Sequence, residues 1–274
     1  MATARAPIRN VLPSLSCNML AAGAILPLTC FIPRIDLTSP LALTACWIAE
    51  SGGTRGTPVI GIGITCVLLS RSGLTWKERV LEFLVIFLSL AALFGGAAYL
   101  NEFVVKPRFA VPRPNIVELA TLPPDTPVLK MTAKEFYAMP DKAARSEYLK
   151  EVLTQTGAPP MHDVIRRHWI KETGYSFPSG HSFSAMLLAT TFLALGLTDF
   201  SGRRLWVFYS VAVWAVAVCG SRVILRVHSP TDVCVGGFEG IFGGVLCFLL
   251  VRRCLEWFSP KCVLSADPGC ETST

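Results

Sequence analysis

"GYSFPSGHSFSAMLLATTFLALGLT", residues 174–198, sets Pro178, Ser179, Gly180 and His181 at the mouth of a long apolar helix. A simple loop would accept almost any polar residues there. A histidine held where membrane meets water is either an interfacial cap or a working group, and the rest of the chain has to decide. The helix that follows speaks for the fold class. From Gly180 to Thr198 it carries no Asp, Glu, Lys or Arg, and a membrane-spanning helix needs about 20 mostly apolar residues.

Composition agrees with that reading. Of 274 residues, 52% are hydrophobic and only 16% charged, with a mean hydropathy of +0.51. Soluble domains carry about 25% charged residues, so the deficit points to a membrane protein. The net charge of +6 comes without any basic tract interleaved with aromatics, so nucleic acid is not an expected partner. Positive residues retained on cytoplasmic loops explain the excess better. Of the ten cysteines, Cys66, Cys219, Cys234 and Cys247 lie inside apolar runs, where cysteine behaves as a small hydrophobe. Cys254, Cys262 and Cys270 show no metal-ligand spacing.

Six spans are expected. Val80–Leu100, Gly180–Thr198, Leu205–Gly220 and Val233–Val251 qualify clearly. Pro58–Leu69 is short and is expected to borrow from the glycine-rich residues before it. Val11–Ile32 is interrupted by Pro13 and Pro27, and Arg5 and Arg9 in front of it also allow a signal peptide. The expected fold is therefore an all-α integral membrane protein, a six-transmembrane-helix bundle forming a single domain over residues 1–274. Arg5 and Arg9, then Arg71, Lys77 and Arg79, then Arg203 and Arg204, then Arg252, Arg253 and Lys261 fall on one side. The positive-inside rule makes that side, and both termini, cytoplasmic.

The other side holds an insertion between helices three and four, residues 115–172, expected to be mostly helical and extracytoplasmic. Its "DKAARSEYLKEVLTQTG" places Tyr148, Leu149, Val152 and Leu153 on one face, with Asp141 as N-cap and Gly157 as stop. Long structured insertions serve as lids or as passive caps over helix ends, and both readings stand. His162 and His168 lie within it, where a surface or packing role is the default.

Two further groups share the face of "PSGH". "KPRFAVPRP", Lys106 to Pro114, follows helix three; its prolines predict an extended, stiff strap presenting Lys106, Arg108 and Arg113. Alone, such residues ordinarily contact lipid headgroups. "SRVILRVHSPTD", Ser221 to Asp232, joins helices five and six, with Ser229 as a cap, Pro230 first and Asp232 third in the helix. That helix start leaves His228 and Arg222 unexplained. Asp232 is close enough in sequence to accept a hydrogen bond from His228, fixing its tautomer and supporting a cationic ring.

Phosphate ester cleavage needs this kind of set: an anion cradle, a nucleophile and a proton donor for the leaving oxygen. Lys106, Arg113 and Arg222 can offset charge on nonbridging oxygens. Ser179 and Gly180 open a helix whose N-terminal amides favour an anion. One histidine can attack phosphorus while the other protonates the leaving alkoxide.

K-x6-R-P, P-S-G-H and S-R-x5-H-x3-D, in this order beside helix ends, resemble the motifs of the type 2 phosphatidic acid phosphatase superfamily. The match spans helices three to six. Within the insertion, "EFYAMPDKAARSEYLKEVL" and "HWIKETGYSFPSGH" resemble the phosphatidylglycerophosphatase B branch of bacterial inner-membrane enzymes. The resemblance implies His228 as a nucleophile forming phosphohistidine, Asp232 orienting it and His181 as general acid. It also implies Lys106, Arg113, Ser179, Gly180 and Arg222 as phosphate ligands, and no metal or other cofactor. Implied partners are lipid phosphates of the outer leaflet: phosphatidylglycerol phosphate first, then phosphatidic acid, diacylglycerol pyrophosphate and undecaprenyl diphosphate, with lipid A as a further option. The bacterial inner membrane is the implied location.

Gly236, Gly240 and Gly244, spaced by four, form a small-residue stripe for close helix contact. Glu239 lies near the face of Asp232, about 10 Å deeper at helical rise. It is either a packed structural glutamate or, with Glu82 nearer the cytoplasmic edge and expected to reach water there, part of a proton relay or transporter. That rival stays open here, as do a metallohydrolase using His181, His228 and Asp232 and a haloperoxidase-like site.

Overall fold

The computed structural model describes residues 8–122, 128–155 and 157–258, which form helices and no strand. Residues 1–7 and 259–274, with Arg5, Lys261, Cys262 and Cys270, lie outside the described residues, as do 123–127 and 156. Helix α1 (Ile8–Ile25) carries Pro13 and runs into a 3-10 turn, Leu26–Phe31, with Pro27 as its second residue. Next come α2 (Pro40–Ser51), α3 (Gly56–Leu69), α4 (Trp76–Leu100) and short α5 (Lys106–Phe109). The insertion contributes α6 (Pro114–Thr121), α7 (Ala133–Ala138), α8 (Lys142–Thr154) and α9 (Asp163–Lys171). The last three helices are α10 (Gly180–Asp199), α11 (Leu205–Ile224) and α12 (Pro230–Phe258).

Five helical stretches are long and apolar enough to cross a membrane, and the bent pair α2–α3 makes a sixth if counted as one span. Their outer faces expose large apolar side chains, among them Leu88, Val213 and Phe242. Water would penalise such surface and a bilayer accepts it. Trp76, Trp206 and Trp257 stand exposed where α4 and α11 begin and α12 ends, as interfacial tryptophans do.

One expectation is refined and one corrected. Pro58–Leu69 does borrow from the residues before it, α3 starting at Gly56, and its further partner is a separate helix, α2, capped by Ser39 and set at 67° to α3. The prolines, however, do not make a strap of Lys106–Phe109. From Asn101 to Val105 the backbone widens into a π-turn, with the Lys106 N–H bonded to Asn101 O, and α5 follows directly. The wider turn relieves the clash between a proline ring and the carbonyl four residues earlier. The helix stops only at Ala110, in the left-handed region at φ 49°.

Helix α10 is the centre of the bundle. Leu187, Leu188 and Phe192 pack there with Leu68, Ile86, Phe208 and Phe248 from four other helices. The glycine stripe of α12 permits the closest approach. A Cβ on Gly236 would lie 2.4 Å from Ser179 O, and one on Gly240 would lie 2.4 Å from Phe183 O. Alanine at either position would push α12 off the "PSGH" turn.

The insertion shares a second core with α2 and the α11–α12 turn, through Ile116, Phe136, Leu149 and Trp169 against Ala42, Ala45, Ala49 and Leu225. Trp169 Nε1 donates to Leu225 O at 2.8 Å. Asp141 caps α8 as expected, accepting the Ala144 N–H at 2.8 Å, and Gly157 takes φ 103° just past its end.

Candidate active site

The three motifs converge because their backbones are tied together. Ser179 is the N-cap of α10, and its own N–H donates to Asp232 O at 3.0 Å. Ser229 and Asp232 cap α12 reciprocally: the Ser229 N–H reaches Asp232 Oδ2 at 2.7 Å and the Asp232 N–H reaches Ser229 Oγ at 3.2 Å. His228 thus sits on a turn clamped at both ends, 3% exposed, with Nδ1 3.5 Å from Asp232 Oδ2.

Arg113 fixes the tautomer of His228. Its Nη1 lies 3.1 Å from His228 Nε2 and donates to Val227 O at 3.0 Å. A guanidinium has only donors, so Nε2 is the acceptor and the ring proton sits on Nδ1, facing Asp232. Burial, and next the Arg113 charge, hold the imidazole below its usual range. The resting ring is therefore neutral with a lone pair on Nε2, where the sequence pointed to a cation. Arg113 is itself locked, with Nε donating to Gly174 O at 2.8 Å and its backbone N–H donating to Tyr137 Oη at 3.1 Å.

The residue at the centre is one the sequence reading missed. Glu172 forms an ion pair with Arg113 Nη2 at 2.7 Å, accepts a hydrogen bond from Arg222 Nη2 at 3.0 Å, and lies 4.0 Å from His181 Nδ1. Burial pushes its carboxyl up, but the two guanidiniums outweigh that and hold it well below the ordinary carboxylate range. Glu172 is thus a carboxylate clamped between two arginines and beside His181. His168, also assigned to surface or packing, is 3% exposed and accepts from Arg222 Nη1 at 2.8 Å. A signal was present: Ile165, His168, Trp169 and Glu172 recur at i, i+3, i+4 and i+7, one helical face, so both polar groups point where Ile165 and Trp169 pack.

Lys106, Gly180 and His181 line a cavity of about 620 Å³ between α3, α4 and α10. Phe83, Phe87, Leu90 and Phe94 from α4, with Ile62 and Leu188, make its walls apolar. A Cβ on Gly180 would meet nothing within 4 Å, so glycine there keeps space open. Lys106 Nζ donates to Glu102 at 3.0 Å, and Lys142 of the insertion pairs with the same carboxylate.

The rival groups fall elsewhere. Glu82 does not reach water: it is buried against Arg71 Nη2 at 2.6 Å. Glu239 accepts from Asn101 Nδ2 at 3.3 Å in the π-turn, a packed role. Among the described residues, no three His, Cys, Asp or Glu side chains gather closely enough to hold a metal ion.

If Glu172 is a stand-in for an anion, Glu172→Gln should lower the inhibition constant of orthovanadate about tenfold, the difference between a charge-assisted and a neutral hydrogen bond. Its folded pKa is depressed, so its stabilisation is present above the unfolded value and is lost as pH falls through the folded one. The wild-type Tm should therefore drop more steeply than that of the variant below about pH 4.5. Parallel curves would deny Glu172 this charge.

The sequence profile of the PAP2 superfamily matches residues 82–256. Phosphatidylglycerophosphatase B of Escherichia coli strain K12 is 34% identical over 159 residues, 58% of each chain. Its namesake in Haemophilus influenzae is 36% identical over 135 residues, 47% of this chain and 51% of that one. A lipid A 4'-phosphatase of Bacteroides thetaiotaomicron is 29% identical over 80 residues, 29% of this chain and 33% of the relative. The chain thus spans about half the length of these first two curated relatives, and a third of the last.

Proposed function

The chain belongs to the PAP2 superfamily, and from that premise we propose that it is an integral membrane phosphatase acting on the phosphate esters of lipids. The observation that carries this reading is the junction of two environments at His181. On one side lie the two arginines and His228, and on the other an apolar cavity open between membrane-spanning helices. A phosphorylated lipid fits both, with its headgroup in the cradle and its chains in the cavity.

In the proposed reaction the substrate phosphate displaces Glu172 from Arg113 and Arg222. His228 Nε2 attacks phosphorus along the side opposite the ester oxygen, and Arg113 Nη1 shifts from that nitrogen to a nonbridging oxygen. The phosphorus–oxygen bond breaks, and His181, placed on the cavity side, gives its proton to the leaving alkoxide. Asp232 stabilises the ring while it carries the phosphoryl group. Water then attacks the phosphohistidine, His181 takes the proton, and orthophosphate leaves with the His228 lone pair restored. Lys106, Ser179 and Gly180 complete the cradle, Ser179 chiefly by fixing the first turn of α10.

Phosphatidylglycerol phosphate is the favoured substrate, by likeness to the two phosphatidylglycerophosphatases. Phosphatidic acid, diacylglycerol pyrophosphate, undecaprenyl diphosphate and lipid A present the same headgroup chemistry. The basic clusters at the helix ends opposite the site support a cytoplasmic placement for those ends, with the site and insertion on the outer, periplasmic face of an inner membrane.

The test is phosphate release from phosphatidylglycerol phosphate in detergent by the purified protein with excess EDTA. Release that survives the chelator is expected. Release abolished by EDTA would replace the histidine route with a metal-dependent one, and no release would move the substrate to undecaprenyl diphosphate.

A further inference from the structure

The wall of the site opposite His228 repeats its construction with different residues. His168 Nδ1 lies 2.7 Å from Glu50 Oε1, while His168 Nε2 meets Arg222 Nη1 at 2.8 Å. Arginine again supplies only donors, so Nε2 is the acceptor and the ring proton rests on Nδ1, toward the carboxylate. Carboxylate, imidazole and arginine form one hydrogen-bonded chain, from α2 through α9 to α11. The His228 wall runs Asp232, His228, Arg113 in the same order.

The two walls differ in how tightly their imidazoles are held. His168 is bonded on both nitrogens, to Glu50 at 2.7 Å and to Arg222 at 2.8 Å, whereas His228 Nδ1 stands 3.5 Å from Asp232 without a hydrogen bond, so His168 is the ring fixed as a support. We propose that Glu50 and His168 are a positioning pair that holds Arg222 aimed into the phosphate cradle while Glu172 is away.

The need for such a pair follows from the resting contacts. Among the described residues the Arg222 side chain makes two hydrogen bonds, to His168 and to Glu172. Its Nε is buried with no partner and stands ready as a donor. When an anion displaces Glu172, the bond to His168 is the one that remains. A carboxylate in place of His168 would hold Arg222 harder but cancel the charge the phosphate needs. A neutral imidazole holds it by direction alone, and Glu50 keeps that imidazole in the accepting tautomer from a distance. This role deepens the phosphatase reading and rests on it.

Four variants test the pair: His168→Leu, His168→Gln, Glu50→Ala, and His168→Leu combined with Arg222→Lys. Two measurements are read on each: kcat and KM on phosphatidylglycerol phosphate, and the Tm increase given by orthovanadate, which reports anion binding without turnover. His168→Leu, lacking the acceptor, should lose about 100-fold in kcat/KM, mostly in kcat, the scale of a misplaced catalytic group. It should also lose most of the orthovanadate shift. His168→Gln restores a neutral acceptor and should recover to within about tenfold of wild type. Glu50 is 45% exposed at its side chain, so Glu50→Ala should fold normally and lose about tenfold, as when an outer partner of a site residue is removed.

With Arg222→Lys already present, His168→Leu should add less than about threefold, because a pair acting through Arg222 has nothing left to position. Equal losses in Leu and Gln would overturn the proposal, as would a full Leu effect in the Arg222→Lys background or a wild-type orthovanadate shift in His168→Leu. Should His168→Leu fail to fold, a wild-type kcat/KM for Glu50→Ala would overturn it instead. Should the wild type release phosphate from neither phosphatidylglycerol phosphate nor undecaprenyl diphosphate, the phosphatase reading fails, while the orthovanadate shift still judges the pair.

Discussion

Replacing His228 by alanine will lower phosphate release at least about 10⁴-fold, since losing the nucleophile of a two-step route removes the route itself. The substitution isolates chemistry from folding. The ring is buried, but the turn that carries it is held by backbone and cap bonds that alanine keeps: the Val227 and His228 N–H groups to Arg222 O, and the Ser229–Asp232 pair. Removal should cost about 1–2 kcal/mol of stability, the scale of one lost buried partner, so the variant should purify and unfold cooperatively. Alkaline quenching of turnover should trap a phosphoryl group on wild-type protein and none on His228→Ala. Phosphate release near the wild-type rate would remove His228 from the mechanism.

The choice of His228 over His181 as nucleophile shows how far sequence reading reaches. Spacing placed both rings on one side of the membrane and left their roles to resemblance. In the structure, the turn that holds His228 sets Nδ1 toward Asp232 and Arg113 leaves Nε2 as acceptor, while His181 faces the apolar cavity where a leaving lipid would lie. Tautomer and direction depend on contacts between residues over one hundred positions apart, such as Arg113 with His228. No local pattern encodes them.

The fold was legible where one helix reports itself. Apolar runs announced α4, α10, α11 and α12, and the glycine stripe of α12 announced the close packing on α10. It was illegible at α2, where "LALTACWIAES" is interrupted by Thr44 and Glu50 and is too short to span alone. Glu50, near the end of that run, drew no reading from the sequence, yet it is the carboxylate that reaches His168. The prolines after α4 misled for a related reason. Proline forbids an ordinary α-turn, and a π-turn answers that constraint as well as an extended strap does. Glu172 was missed because an ionisable residue in a polar insertion reads as solvated; its place on the face of Ile165 and Trp169 turned it inward, but its pairing with Arg113 and Arg222 is no local pattern.

Arg113→Ala carries the second large expectation: kcat/KM should fall about 10³-fold, the upper scale for removing one preorganised donor from a developing charge. Its side chain serves three functions, and alanine ends them together. It pairs with Glu172 in the proposed cradle, it fixes the accepting state of His228 Nε2, and through Gly174 O and Val227 O it ties the segment before "PSGH" to the α11–α12 turn. Arg113→Lys separates charge from geometry. Lysine keeps the cation but cannot meet Glu172, Val227 and His228 with a planar fork, so it should regain no more than about tenfold over alanine. Glu172 gives a further reading. Without Arg113 it retains Arg222 alone, so a buried carboxylate is less compensated and the protein loses stability at neutral pH. The double variant Arg113→Ala with Glu172→Gln should recover part of that Tm while recovering no activity. Recovery of activity along with Tm would mean that Arg113 acts by holding the fold, and an unaltered kcat/KM in Arg113→Ala would move it from the cradle to the surface of the headgroup region.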